Sequence, residues 1–214
     1  NTGAKASFTV ELWSRVFVLL SWLSPFKLVW RLFPRAGQSS LFVDSWVHGH
    51  LLLSVLLLGL LCYPNLAWWE AVFLVYGGVR VFEIVTYQIN VLLFDEYRKQ
   101  KKREGYALRG YRRIVILLLM NYVEIVFWFA LFYRNLDWAF DTNGVVLNSF
   151  FQAINRSFVT MTTFGFTSIL PKDAFANALV FSQSAIGLFM ALLVLARFVG
   201  VLPTPQSMDE FEKK

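Results

Sequence analysis

The sequence predicts an all-α membrane protein with four transmembrane helices. Three observations predict it. Of the 214 residues, 57% are hydrophobic and only 16% are charged, against about a quarter charged in an ordinary soluble domain, so lipid is the expected main solvent. The apolar residues fall in blocks and not in periodic stripes, and four blocks reach the roughly 20 residues that a helix needs to cross a bilayer. The basic residues behind the net charge of +6 gather between the second and third blocks, which is the signature of a cytoplasmic loop.

Residues 1–40 come first, as a cytoplasmic segment. The opening Asn1-Thr2-Gly3-Ala4-Lys5 lacks the pattern of a secretory signal. Residues 8–33 are apolar but carry Glu11, Arg15, Lys27 and Arg31, are cut by Pro25, and are punctuated by Trp13, Trp22 and Trp30. That mixture reads as an N-terminal interfacial helix lying on the inner leaflet. The rival is a fifth span, which would move the N-terminus outside.

Residues 41–94 are expected to form a transmembrane hairpin. Its first span covers about 41–63 and its second about 70–94, with Pro64, Trp68 and Trp69 in an interfacial turn between them. The linker 95–113 holds Arg98, Lys99, Lys101, Lys102, Arg103, Arg109, Arg112 and Arg113. Its charge places it in the cytoplasm, and an even number of spans on either side places both termini there too. The expected location is a multi-pass cell-membrane protein. The same basic stretch is expected to touch anionic lipid of the inner leaflet, as well as setting topology. Nucleic acid is not an expected partner, because no basic face continues outside the apolar blocks. Cys62 is the only cysteine and is expected to pack as a small apolar residue.

Residues 114–200 hold spans three (about 114–133) and four (about 174–200), and 201–214 form a short cytoplasmic tail. Between these spans, 134–148 is polar and reads as an extracellular loop. The following 149–171 is too short and too polar to span. Irregular backbone at membrane depth is tolerated only when buried in protein or lining water. A short helix over 149–162 followed by a Thr/Gly-rich return is therefore expected to be re-entrant, a pore helix and filter loop.

The return reads Thr160-Met161-Thr162-Thr163-Phe164-Gly165-Phe166-Thr167-Ser168-Ile169-Leu170-Pro171. A cation filter replaces an ion's hydration shell with rings of backbone carbonyls. Here Thr163 offers a hydroxyl for the inner end, Gly165 the positive φ that turns carbonyls to an axis, and Phe164 and Phe166 outward braces. Thr162, Thr163, Gly165, Phe166 and Pro171 together resemble the filter of the two-helix pore family of potassium channels, whose pattern runs Thr-Thr-x-Gly-Tyr/Phe-Gly-Asp-x-x-Pro. Downstream, Ala185-Ile186-Gly187-Leu188 and Ala196-Arg197-Phe198-Val199-Gly200 resemble that family's inner helix. The resemblance covers about 114–200. It implies a homotetramer, each chain with three further copies of itself. It also implies K+ or Na+ as the transported ion, coordinated at Thr163, Phe164, Gly165, Phe166 and Thr167, with no cofactor.

The departures are Thr167 at the family's second glycine and Ser168 at its aspartate. A β-branched residue is poorly tolerated at positive φ, so the outer filter is expected to take another path and potassium selectivity to weaken. Potassium transporters of the Trk type use a similar single-glycine filter, but with four repeats in one chain, and no second copy occurs here. A Trk-like uptake subunit and a non-conducting scaffold are the alternatives. No enzyme is expected, since neither a His/Glu metal motif nor a Ser-His-Asp arrangement is present.

Further residues carry weaker signals. Gly187, mid-span, is a candidate gating hinge or a close-packing site. Ser182, Gln183 and Ser184 are candidates to line an aqueous cavity or to bond across helices. Arg80, Glu83 and Glu124 are charges at membrane depth, most simply an ion pair locking spans two and three. One arginine in span two is no voltage-sensing row, so little voltage dependence is expected. Arg156 is expected to reach the outer surface or to pair with Asp137, Asp141 or a neighbouring chain. His48 and His50 are expected to be interfacial and inert. Gating would come from the pore, from lipid, from the N-terminal segment, or from a separate regulatory partner.

Overall fold

The computed structural model describes residues 8–32, 39–60, 67–94, 97–98, 110–141, 149–163 and 170–200. Four helices are long and apolar enough to cross a bilayer, and the chain is a multi-pass membrane protein. They are α3 (Ser40–Leu60), α4 (Ala67–Ile89, continued by a π-helical turn Asn90–Phe94), α5 (Tyr111–Asn135) and α7 (Ala174–Val199). Before them lie α1 (Phe8–Leu20) and α2 (Pro25–Leu32), and between the last two lies a short α6 (Phe150–Met161). The helix expected over 149–162 and the four spans thus appear with boundaries shifted by up to three residues at each end.

The N-terminal segment is two helices and not one. A 3-10 turn, Ser21–Leu23, follows α1, and Ser24 is extended at φ −75°, ψ 124°. Pro25 causes the break: it has no N–H to give and it drives the preceding residue out of the helical region. It then opens α2, where its fixed φ suits the first helical position. The pair is docked lengthwise along α4. Ser14 meets Arg98, the Phe17 carbonyl meets Asn90, and Ser24 meets Glu83. The expected single helix is thus a pair of helices, held to the chain at Glu83, Asn90 and Arg98.

Helix α5 is the hub. Of its most apolar stretch 56% is buried, against 22% for α7. It packs on α3, α4, α6 and α7 through Ile125, Trp128, Ala130, Leu131 and Tyr133, all fully buried. Gly77 makes the α4–α5 approach possible, since a Cβ there would stand 2.6 Å from the Trp128 ring.

After α5 the chain makes a 3-10 turn (Asp137–Ala139) and a short strand β1 (Phe140–Asp141), which pairs antiparallel with β2 (Leu170–Pro171). Phe140 faces Pro171 and Asp141 faces Leu170. The Lys172 N–H extends the strap by donating to the Ala139 carbonyl at 3.0 Å. Asp173 then caps α7, its carboxylate accepting the Ala176 N–H at 2.7 Å. The bundle therefore has a basic end, at Arg98 and Arg113, and a strap end, at β1 and β2.

Candidate functional site

Short helix α6 lies in the angle between α5 and α7. Its anchors are polar. Ser157 Oγ donates to the Val126 carbonyl at 2.7 Å. Gln183 Nε2 donates to the Ser157 carbonyl at 2.9 Å and to its Oγ at 2.8 Å. Tyr133 Oη donates to Gln183 Oε1 at 2.7 Å. All three side chains are fully buried, so each group finds within the chain the partner that a low-dielectric interior demands.

One turn further, Gly187 is buried against the Met161 carbonyl, which a Cβ at 187 would overlap. The contacts 157–183 and 161–187 advance together, so α6 and α7 run side by side in the same direction. That register puts Phe150 level with Ala176, near the strap end. Met161 comes to rest beside the fourteenth of the 26 residues of α7, halfway along the span. Twelve residues of helix cover about 18 Å. Nine residues after Met161, Leu170 is back in the strap beside Asp141.

The end of α6 is closed by Thr162 and Thr163. Thr162 Oγ1 donates to the Phe158 carbonyl at 2.8 Å, and the Thr163 N–H to the Thr160 carbonyl at 3.2 Å. Thr163 is left-handed, with φ +58°, a conformation that helix ends usually give to glycine. It is exposed at mid-depth of the bundle. The remaining expected ion-binding residues, Phe164, Gly165, Phe166 and Thr167, lie outside the described residues.

The other expected site residues sort as follows. Ser182 is exposed and Ser184 half-buried on α7. Gln183 is not a cavity-lining residue: it is fully buried and bonds across helices to Tyr133 and Ser157. Gly187 sits in an unbroken helix at its tightest contact, so the structure gives it a packing role. Arg156 does not reach the surface. It is 4% exposed, with its guanidinium 5.4 Å from the Tyr133 ring and 5.8 Å from that of Phe140, beside two rings that themselves meet edge to face at 5.3 Å, a cation–π contact under the strap. Sequence reasoning missed Tyr133 and Ser157 as anchors; their hydrogen bonds are 50 and 31 residues apart in the chain and leave no local pattern.

The membrane-depth charges meet elsewhere, between α4 and α5. Arg80 donates to both oxygens of Glu124, at 2.7 Å and 3.0 Å, and to Glu83 Oε2. Trp128 Nε1 donates to Glu124 at 3.1 Å, and Trp46 lies 6.0 Å from the Arg80 guanidinium. Glu83 Oε1 accepts from Ser24 Oγ and, at 2.6 Å, from the Phe26 N–H, so it caps α2 from a distance. This is the expected locking pair, enlarged by the N-terminal helices. Nearby, His50 is buried between the Trp46 carbonyl and Tyr76 Oη, at 2.7 Å and 2.6 Å, while His48 is exposed. Arg113 of the basic linker pairs with Asp44 at 2.7 Å. Lys99, Lys101, Lys102, Arg103 and Arg109 lie outside the described residues.

Among the described residues no group of three or more His, Cys, Asp or Glu could hold a metal ion. The chain matches no protein-family model, no curated protein and no solved structure.

Proposed function

We propose that four copies of this chain surround a common axis and conduct a monovalent cation along the return segment that follows α6. The observation that carries this reading is the end of α6. It stops halfway down the bundle, with Thr163 exposed in a strained left-handed backbone. In lipid, unpaired backbone groups at that depth are costly, so they must face protein or water. Strain of this kind clusters at functional sites. The carbonyl end of a helix carries partial negative charge and favours a cation beside it.

Two further observations support it. The strap holds the two ends of the segment together, so the chain enters and leaves on one side, as a re-entrant loop does. Helix α7 leaves Phe181, Leu188, Leu192 and Leu195 more than half exposed, and exposed Ser182 lies on the same helix, a surface suited to neighbouring copies around an aqueous axis.

In this reading the Thr163 hydroxyl and the carbonyls of Thr163, Phe164, Gly165, Phe166 and Thr167 coordinate the ion in sequence. The Thr167 and Ser168 departures weaken selection of K+ over Na+. Both termini lie in the cytoplasm, with the strap outside, in a cell membrane.

Purified chain reconstituted in liposomes tests this by tracer rubidium uptake. Uptake that is lost on Gly165→Leu supports the pore. Uptake unchanged by that substitution, or none with any monovalent cation, rejects it, and the second outcome favours a scaffold. Reversal potentials in mixed Na+ and K+ test the selectivity; strict K+ preference contradicts the weakened outer filter.

A further inference from the structure

A cavity of about 360 Å³ opens between the N-terminal helices and α4. Its wall is lined by Ser21, Ser24, Lys27, Asn90 and Arg98, with Glu83 at its deep end and Phe26, Val43 and Val91 supplying apolar surface. Ligand sites for small molecules span roughly 300–1,000 Å³, so the space is that of a head group and not of a single water.

Its charge is distinctive. Lys27 and Arg98 come from chain segments 71 residues apart and converge on the same space. Lys27 Nζ donates to Ser21 Oγ. Arg98 donates to Asn90 Oδ1 and, at 3.4 Å, to Ser14 Oγ, and lies over the Phe94 ring at 5.7 Å. Among the described residues of its lining, the carboxylate is Glu83, and it is committed: one oxygen holds Arg80 and the other holds Ser24 and the Phe26 N–H. Burial, and then the positive charge of Arg98, push the Lys27 pKa below the usual lysine value. An anion seated between the two cations relieves their mutual repulsion.

The wall is also irregular where it matters. Asn90–Phe94 is π-helical, a rare departure that recurs at functional sites, and it turns Asn90 toward both Arg98 and α1. The same segment that brings Ser21, Ser24 and Lys27 presents Leu19, Trp22 and Leu23 outward, each more than 60% exposed. Apolar flanks beside a cationic pocket at the basic end of a membrane bundle suit a molecule with a phosphate head and an acyl tail.

We infer that this cavity binds a phosphate group, held by Lys27 and Arg98 with Ser21, Ser24 and Asn90 around it, and that the phosphate is the head of an anionic lipid. The site does not depend on conduction: it stands if the pore reading fails, and its loss leaves the pore reading untouched. It also differs from a diffuse contact at the basic linker, because two charges from two elements define one pocket.

The test uses the full chain in neutral detergent, following thermal unfolding against short-chain phosphatidate, phosphatidylcholine of the same chain length, and inorganic phosphate. Phosphatidate should stabilise the chain saturably and phosphatidylcholine should not. Each of Lys27→Gln and Arg98→Gln removes one charged hydrogen bond and should weaken the apparent affinity roughly tenfold, while Lys27→Arg keeps it. Stabilisation by inorganic phosphate at matching affinity, lost in the same variants, would keep the phosphate site and assign it to a free anion. Equal stabilisation by both lipids, or unchanged affinity in both Gln variants, would overturn the inference. If the Gln variants do not fold, acetylation of Lys27 in the native chain replaces them. Phosphatidate should protect that amine, and unchanged labelling would overturn the site.

Discussion

The two polar centres of this chain are built differently. The Arg80–Glu83–Glu124 cluster is closed within one chain: each carboxylate oxygen has a donor, the guanidinium is bidentate on Glu124, and α2 is capped by what remains. The α6 centre is anchored just as firmly at Gln183 but ends open, with Thr163 exposed at mid-depth and α7 only 22% buried. A polar centre that one chain satisfies is architecture. A polar centre that ends exposed is where the proposed pore would place the axis shared with other copies.

The largest expected effect breaks the closed centre. Arg80→Leu leaves two carboxylates facing each other in a buried site, where removing one partner of an ion pair costs about 3–5 kcal/mol. Thermal unfolding in detergent should show most of the chain's stability lost. A loss under about 1 kcal/mol would mean that the cluster is solvated, and the contrast between the two centres would disappear.

Next comes the seat of α6. Gly187→Val must push the Met161 carbonyl away, at a cost of about 1–3 kcal/mol typical of overpacking. Rubidium uptake should vanish while the Arg80 cluster stays intact. Wild-type uptake in this variant would mean that neither the seat of α6 nor a hinge at 187 matters to conduction. Gln183→Leu takes away the buried acceptor of Tyr133 Oη, a loss of about 1–3 kcal/mol for a group left unpaired, and should lower the melting temperature without changing the number of copies per assembly.

These effects also mark how far the sequence could be read. The four spans and α6 were legible because a bilayer imposes a length and an apolar composition on each helix. The inner orientation of α7 was not: a helix apolar on every side has no periodic face to show which residues turn inward, so Ser182, Gln183 and Ser184 could not be told apart. The Arg80, Glu83 and Glu124 pairing was foreseeable from the cost of charge in lipid. The recruitment of Ser24 and Phe26 to it, and the burial of Arg156 over Tyr133 and Phe140, depend on tertiary docking and leave no mark in local sequence.

The smallest effect is at the open end itself. Thr163→Gly removes a left-handed β-branched residue and should stabilise the folded chain by about 1 kcal/mol. If Thr163 serves only to end α6 through its backbone N–H, uptake should be unchanged. The proposed pore predicts slower uptake despite higher stability, an opposition that a plain helix cap cannot produce.

The most direct measurement is rubidium flux into liposomes holding the purified chain, compared with liposomes holding Gly165→Leu. The open-centre account predicts uptake well above that of empty liposomes for the parent and none for the variant. Equal flux in the two, or no flux in either, would contradict it.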